Sequence, residues 1–323
     1  MRSLRTNKTL RTNVITYAVV VAAFVLFQAL GSAGVLSSTM KGQLVPICAY
    51  VLMALSLNLT VGILGELSLG HAGFMSVGAF AGAVTASAMQ DSVPSSALRL
   101  TVAVLVGAAL AAIVGVLIGI PVLRLNGDYL AIVTLAFGEI IKSIVNNLYI
   151  GMDVNGLHAS FLNNTIVLGE GGRMILSGPM GVPGIKKTAT FAAGFILILI
   201  ALFVIFNLVN SRAGRAIMAL RDNRIAAESV GINVTKYKLM AFVISAAIAG
   251  AGGALYGQAQ NAIIATKFDF NTSILILVFV VLGGMGNMLG SILAAALLTV
   301  LPELLRSLND YRMLIYAIVL ILM

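Results

Sequence analysis

Long, continuously apolar runs separated by short polar segments make up most of this chain. Residues 14–36, 98–120 and 191–209 each approach or exceed the ~20 residues that a helix needs to cross a bilayer. Because these runs do not alternate between apolar and polar residues, a membrane-spanning β-barrel is excluded. The pattern predicts an all-α polytopic transmembrane bundle of about ten segments, at residues 14–36, 43–61, 71–88, 98–120, 129–149, 190–210, 239–257, 272–284, 288–305 and 312 onward.

Two glycine-rich breaks interrupt this helical pattern. The first is NLTVGILGELSLGHAGF at residues 58–74, and the second is LGGMGNMLGS at residues 282–291. Interrupted helices in corresponding halves indicate a transport pathway, and glycines also allow close helix packing. Both interpretations stay open for the breaks, whereas packing is expected for Gly78, Gly82, Gly250, Gly252 and Gly253. The pathway candidates are Gly62, Gly65, Glu66, Ser68 and His71.

The basic residues predict an orientation. They cluster at residues 2–11 and 212–238, with six segments between the clusters, so both clusters lie on one side of the membrane. The positive-inside tendency assigns that side to the cytoplasm. Residues 211–238 then form a cytoplasmic loop and residues 150–189 an outer loop of a single transmembrane domain, 1–323. In the outer loop we expect a small lid or hairpin, with NNTIVL at residues 163–168 as a candidate strand.

Composition agrees with a membrane protein. The 323 residues are 60% hydrophobic and 10% charged, with a mean hydropathy of +1.05, whereas a soluble domain is about a quarter charged. The net charge of +9 does not indicate nucleic-acid binding, because the basic residues flank apolar spans. The single cysteine, Cys48, excludes an intrachain disulfide and a multi-cysteine metal site. The N-terminal run is longer than a signal-peptide core, so we expect an uncleaved first helix.

Candidate chemistry is sparse. The sequence contains no phosphate-binding loop, zinc-protease motif, nucleophile elbow or metal-spaced cluster, so we expect no catalytic group and no cofactor in this chain. Glu139 and Lys142 lie three residues apart, which predicts a pair on one helix face, either packed against a neighbour or lining a route. His71 is expected to be a hydrogen-bonded structural group near the cytoplasmic surface. A secondary transporter that uses Glu66 or Glu139 remains an alternative.

The most polar long stretch, GRAIMALRDNRIAAESVG at residues 214–231, predicts a short helix from about residue 216 to residue 230. Arg224 and Glu228 pair at four-residue spacing, and Gly231 stands where a helix ends in a left-handed residue. An apolar stripe is predicted at Ile217, Leu220, Ala227 and Val230. Small residues at the centre of such a helix favour docking into a groove on a soluble partner.

Several of these stretches resemble branched-chain amino-acid ABC importer permeases of the LivM type. They are residues 214–257, residues 55–80 and FVVLGGMGNMLG at residues 279–290, and the resemblance covers nearly the whole chain. Ala226, Ala227 and Gly231 occupy the A-A-x-x-x-G core of the coupling loop of such permeases. Ile225 stands where the general motif has glutamate, and Glu66 where the family often has glutamine.

The resemblance implies a non-catalytic permease subunit in the bacterial inner membrane, with its N-terminus cytoplasmic. Its partners would be a second permease of the LivH type, two cytoplasmic ATPases that bind ATP and Mg, and a periplasmic binding protein. The implied ATPase-coupling residues are Arg221, Arg224, Ala226, Ala227, Glu228 and Gly231. An ABC permease for urea, short amides or sugars is the alternative. Residues 313–323 cover only about half of a ~30 Å bilayer core, so we expect the natural chain to continue.

Overall fold

The computed structural model describes residues 2–34, 37–90, 92–125, 127–153, 156–162, 166, 168 and 172–304, with side chains from residue 13 to residue 303. The predicted final segment and most of the NNTIVL strand lie outside these residues. The described chain is mainly helical, which confirms the all-α class. Its helices are α1 (Arg2–Ser32), α2 (Ser38–Asn58), α3 (His71–Ala88), α4 (Ser96–Val122), α5 (Asp128–Asn146), α6 (Phe191–Asn210), α7 (Arg212–Asp222), α8 (Arg224–Ser229), α9 (Val234–Ala259), α10 (Phe270–Gly283) and α11 (Met288–Leu304).

Six helical stretches in the described residues are long and apolar enough to cross a membrane: Asn13–Ser32, Ser38–Leu64, Ser96–Val122, Phe191–Asn210, Val234–Ala259 and Ala265–Gly283. The chain is therefore a multi-pass membrane protein. Side chains set several of the helix starts, because Thr190, Ser211 and Asn233 accept the first free backbone N–H groups of α6, α7 and α9.

The core of the bundle forms where α9 packs against α2, α3 and α4. Glycines allow these helices to approach: a Cβ on Gly78 would overlap the backbone of Gly250, and one on Gly253 would overlap the Met75 carbonyl. A Cβ on Gly252 would lie 3.1 Å from the Cβ of Leu52, and one on Gly82 would lie 2.8 Å from that of Ala254. Packing is therefore confirmed as the role of these helical glycines.

A small antiparallel sheet follows α5. Its strands are β1 (Leu148–Asp153), β2 (Gly156–Phe161) and β3 (Arg173–Ser177), in the order β2-β1-β3. The predicted hairpin is confirmed by β1 and β2, which pair Leu148 with Phe161 and Asp153 with Gly156. The sheet is tied to the end of α3, because the Arg173 guanidinium donates to the Ser87 carbonyl at 2.6 Å.

Candidate functional site

The first predicted break is confirmed between α2 and α3. The chain leaves α2 through a π-helix, Leu59–Leu64, and Gly65 ends it with a left-handed backbone at φ +80°. Residues 66–70 contain no helix, and α3 begins at His71. The π-helix is common at functional sites, and the left-handed position requires glycine here because the Arg221 side chain also lies against it.

The second break lies directly against the first. Between α10 and α11, Gly284 and Gly286 have φ of +88° and +85°. Asn58, at the end of α2, accepts the Gly286 N–H at 2.7 Å and donates to the Asn287 carbonyl at 3.1 Å and to Ser291 Oγ at 2.9 Å. Asn58 is fully buried, so its amide joins the two breaks inside the protein. No local sequence pattern predicts this role of Asn58, because Gly286 lies 228 residues away along the chain.

His71 is fully buried in the interior of the bundle, and its position near the cytoplasmic surface of the membrane stays a prediction. Its Nε2 is 2.7 Å from Ser56 Oγ, and the hydroxyl of Ser245 donates to the Ser56 carbonyl at 2.6 Å. The expected structural hydrogen bonding of His71 is confirmed. Ser68 is also buried, so the side chains of these two pathway candidates are not accessible to solvent in this conformation.

Glu66 forms an ion pair with Lys238 of α9. Only 4% of the Lys238 side chain is exposed, so its ammonium depends on this carboxylate for neutralisation. The pair connects the first break to the helix at the centre of the bundle. The place of Lys238 in the basic cluster 212–238 predicts a position beside the membrane but not this ion pair.

The predicted single coupling helix is two helices. Asn223 adopts an extended backbone between α7 and α8, and its side chain accepts the Ala226 N–H at 3.0 Å as the N-cap of α8. Gly231 follows α8 with φ +84°, and the Ile232 N–H reaches the Ala227 carbonyl at 3.1 Å, as in a Schellman motif. The predicted left-handed end at Gly231 is therefore confirmed.

The predicted apolar stripe holds only in part. Ile217, Leu220 and Ala227 are buried, but Val230 is 75% exposed, because the extended residue between the helices changes the phase of α8. Ile225 is 81% exposed, and Ala226, Glu228 and Gly231 are also exposed. These five residues, Ile225, Ala226, Glu228, Val230 and Gly231, form the α8 surface. The pairing of Arg224 with Glu228 stays a prediction.

Arg221 links α7 to the first break. Its Nη1 donates to the Gly62 carbonyl at 2.8 Å, while Nε and Nη2 donate to Asp222 Oδ1 at 3.4 and 3.3 Å. A cleft of about 300 Å³ lies beside this contact, and its lining includes Gly65, Glu66, Arg224 and Lys238. The structure thus brings two pathway candidates and two coupling candidates together at one end of the bundle.

Glu139 and Lys142 form the predicted ion pair on α5. Their side chains are 43% and 27% exposed, so the pair is not packed inside the chain. Within the part of the chain that the structure describes, no group of three or more His, Cys, Asp or Glu residues could hold a metal ion.

Residues 39–323 match the family model described as the permease component of branched-chain amino acid transport systems. The chain is 40% identical to the high-affinity branched-chain amino acid transport system permease protein LivM of Salmonella typhimurium and 38% identical to that of Escherichia coli. Each alignment covers 85% of this chain but only 65% of the relative. A nucleoside ABC transporter permease protein, NupC of Lactococcus lactis, is 25% identical over 60% of this chain and 59% of its own length. No solved structure matches significantly.

Proposed function

The chain belongs to the permease family of branched-chain amino acid transport systems, and we propose that it is a transmembrane permease subunit of an ABC importer for branched-chain amino acids. The observation that carries this proposal is the contact between Arg221 and the Gly62 carbonyl. Through it, a pair of short helices with an exposed apolar surface touches a helix break within the membrane bundle. A partner bound to α8 therefore has a direct mechanical connection to the interior of the bundle.

The chain carries out no hydrolysis in this proposal. Two partner ATPases bind ATP and Mg, a second permease of the LivH type completes the pathway, and a periplasmic binding protein delivers the amino acid. The coupling residues are the α8 surface together with Arg221, Arg224 and Ala227. Ala227 contributes by holding α8 against Leu220 and Val234 rather than by contacting the partner.

Closure of the ATPases moves α7 and α8, and Arg221 transmits that movement to the π-helix. The Glu66–Lys238 ion pair carries it on to α9, and Asn58 carries it to the second break. The two breaks and α9 then shift together, which switches access from one side of the membrane to the other. The residues of the first break, Gly62 to His71, gate the route in this scheme.

The proposed topology has about ten crossings in one domain, 1–323, of the inner membrane. The N-terminus and residues 211–238 lie in the cytoplasm, and residues 150–189 with the sheet lie in the periplasm. An ABC permease for another small solute is the second candidate, and the nucleoside permease among the relatives supports it.

The docking role of α8 is tested by replacing Ala226 with tryptophan. We expect ATP-driven leucine uptake by the reconstituted importer to fall roughly tenfold or more, because an indole overfills a groove that accepts alanine. The control is Ile113→Trp on α4, which lies on an exposed apolar face and should leave uptake unchanged. Uptake at the wild-type rate by Ala226→Trp would exclude α8 as the docking helix.

A further inference from the structure

Outside the coupling region, helix α5 has an exposed face that carries an ion pair. A line of side chains on this helix is exposed in the single chain and includes Ile132, Ala136, Ile140 and Ser143. Glu139 and Lys142 lie on the same face and form their ion pair there. This face is open in a chain that otherwise exposes mainly apolar side chains to its surroundings.

The ion pair lies on the outer face of α5, well away from both ends of the helix. Helix α5 begins at Asp128, beside the cleft that Arg221 lines, and its 19 residues end at Asn146, just before the sheet. At ~1.5 Å per residue, Glu139 is about 16 Å along a helix of about 28 Å. The adjacent Gly138 packs on the start of α3, since a Cβ there would lie 3.2 Å from the Cα of Gly70. Partly exposed charges at such a depth require water or protein next to them, because lipid solvates them poorly.

A third charged group completes the cluster. Lys142 interacts electrostatically with Asp269, which caps the N-terminus of α10 by accepting the Thr272 N–H at 3.0 Å. Lys142 therefore forms its ion pair with Glu139 on α5, and Asp269 adds a weaker electrostatic interaction from a second helix. If the Glu139 carboxylate turns to another cation, the Asp269 carboxylate still offsets part of the Lys142 charge.

We infer that this α5 face lines the translocation route and that the Glu139–Lys142 pair is a transient binding site for the zwitterionic head group of an α-amino acid. Glu139 binds the ammonium group and Lys142 binds the carboxylate. Binding of the amino acid replaces the Glu139–Lys142 ion pair by two ion pairs, and it leaves the net charge of the site unchanged because the zwitterion is neutral. The exposed aliphatic side chains of Ile132 and Ile140 lie where an apolar substrate side chain contacts the helix. The inference rests on the proposed importer function and names the group of the substrate that this chain recognises.

The first test measures leucine uptake by the reconstituted importer as a function of leucine concentration. We expect Glu139→Gln to raise KM by roughly tenfold or more, since a charged hydrogen-bond partner of the ammonium is lost. The control is Asp153→Asn, which breaks the 3.0 Å pair with His158 on the sheet and should leave KM unchanged. A wild-type importer that does not take up leucine overturns the proposed function itself, whereas active wild type with an unchanged KM in Glu139→Gln overturns only this inference.

The second test does not depend on transport. In a Cys48→Ser background, Ala136→Cys on the α5 face should react with a charged, water-soluble thiol reagent, and leucine should slow the reaction. Leu105→Cys is the matched control, because Leu105 is exposed on the apolar face of α4 and should stay unreactive. An unreactive Ala136→Cys, or one that leucine does not protect, overturns the inference even if Glu139→Gln fails to assemble.

Discussion

Single buried polar side chains hold the breaks in place. Asn58 uses its oxygen once and its nitrogen twice: on Gly286 and Asn287, which lie between α10 and α11, and on the Ser291 hydroxyl in the first turn of α11. A buried donor or acceptor that loses its partner costs about 1–3 kcal/mol. The Asn58 amide therefore contributes to the stability of the fold. It also fixes how the two breaks meet, since an aliphatic side chain cannot hydrogen-bond to Gly286 and Ser291 together.

Replacing Asn58 with leucine should destabilise the protein by about 2–3 kcal/mol, because the Gly286 N–H and the Asn287 carbonyl lose their buried partner. Thermal unfolding of the purified subunit in detergent measures this as a lower melting temperature. Asn210→Leu is the matched control, because the side-chain amide of the exposed Asn210 donates to the Phe206 carbonyl of its own helix, at 2.8 Å, and bridges no break. Equal melting temperatures for the two variants would contradict the bridging role of Asn58.

At the scale of elements, the connection between α7 and the π-helix is the contact through which we propose that coupling runs. Arg221 reaches the Gly62 carbonyl, which the π-helix presents toward α7, and its aliphatic part covers Gly65. A methionine at this position keeps much of the packing volume but cannot donate a hydrogen bond. This substitution therefore separates the hydrogen bond of Arg221 to Gly62 from its packing against Gly65.

We expect Arg221→Met to lower leucine uptake by roughly tenfold while ATP hydrolysis by the assembled importer continues, since a lost coupling energy of 1–3 kcal/mol corresponds to such a factor. Parallel assays of uptake and phosphate release measure the ratio of transport to hydrolysis. Arg215→Met serves as the control, because Arg215 also lies on α7 but donates only to the Asn210 carbonyl, at 3.2 Å. A ratio unchanged from wild type in Arg221→Met would remove Arg221 from the coupling route.

Local patterns predicted the apolar helices, both breaks and the left-handed end at Gly231, because each depends on neighbouring residues. The division at Asn223 was missed although asparagine is a strong N-cap, since helix formers stand on both sides of it. The burial of Val230 was wrongly predicted for the same reason, because a helical stripe loses its phase across an extended residue. The partners Lys238 and Glu66 lie 172 residues apart, so no local spacing could pair them.

At the scale of the whole molecule, α6 separates two different ends of the bundle. Its N-terminus follows the segment that pairs Val182 with Ile263 near the sheet, and its C-terminus leads into α7 and the cleft beside Arg221. The sheet and the coupling helices are thus joined by one apolar helix of 20 residues, which is about 30 Å long. A helix of that length matches the thickness of a bilayer core, so the two ends belong on opposite sides of the membrane.

This arrangement makes the orientation of the chain a testable prediction. In a Cys48→Ser background, Lys187→Cys should be labelled from the periplasmic side of intact cells by an impermeant thiol reagent, and Lys236→Cys should be labelled only after the membrane is opened. Both lysines are exposed, and the two positions lie at opposite ends of the path through α6, so each serves as the control for the other. The basic residues of 212–238 favour the cytoplasm for the second position. Labelling of Lys236→Cys in intact cells would reverse the orientation and would place α8 where no cytoplasmic ATPase could bind it.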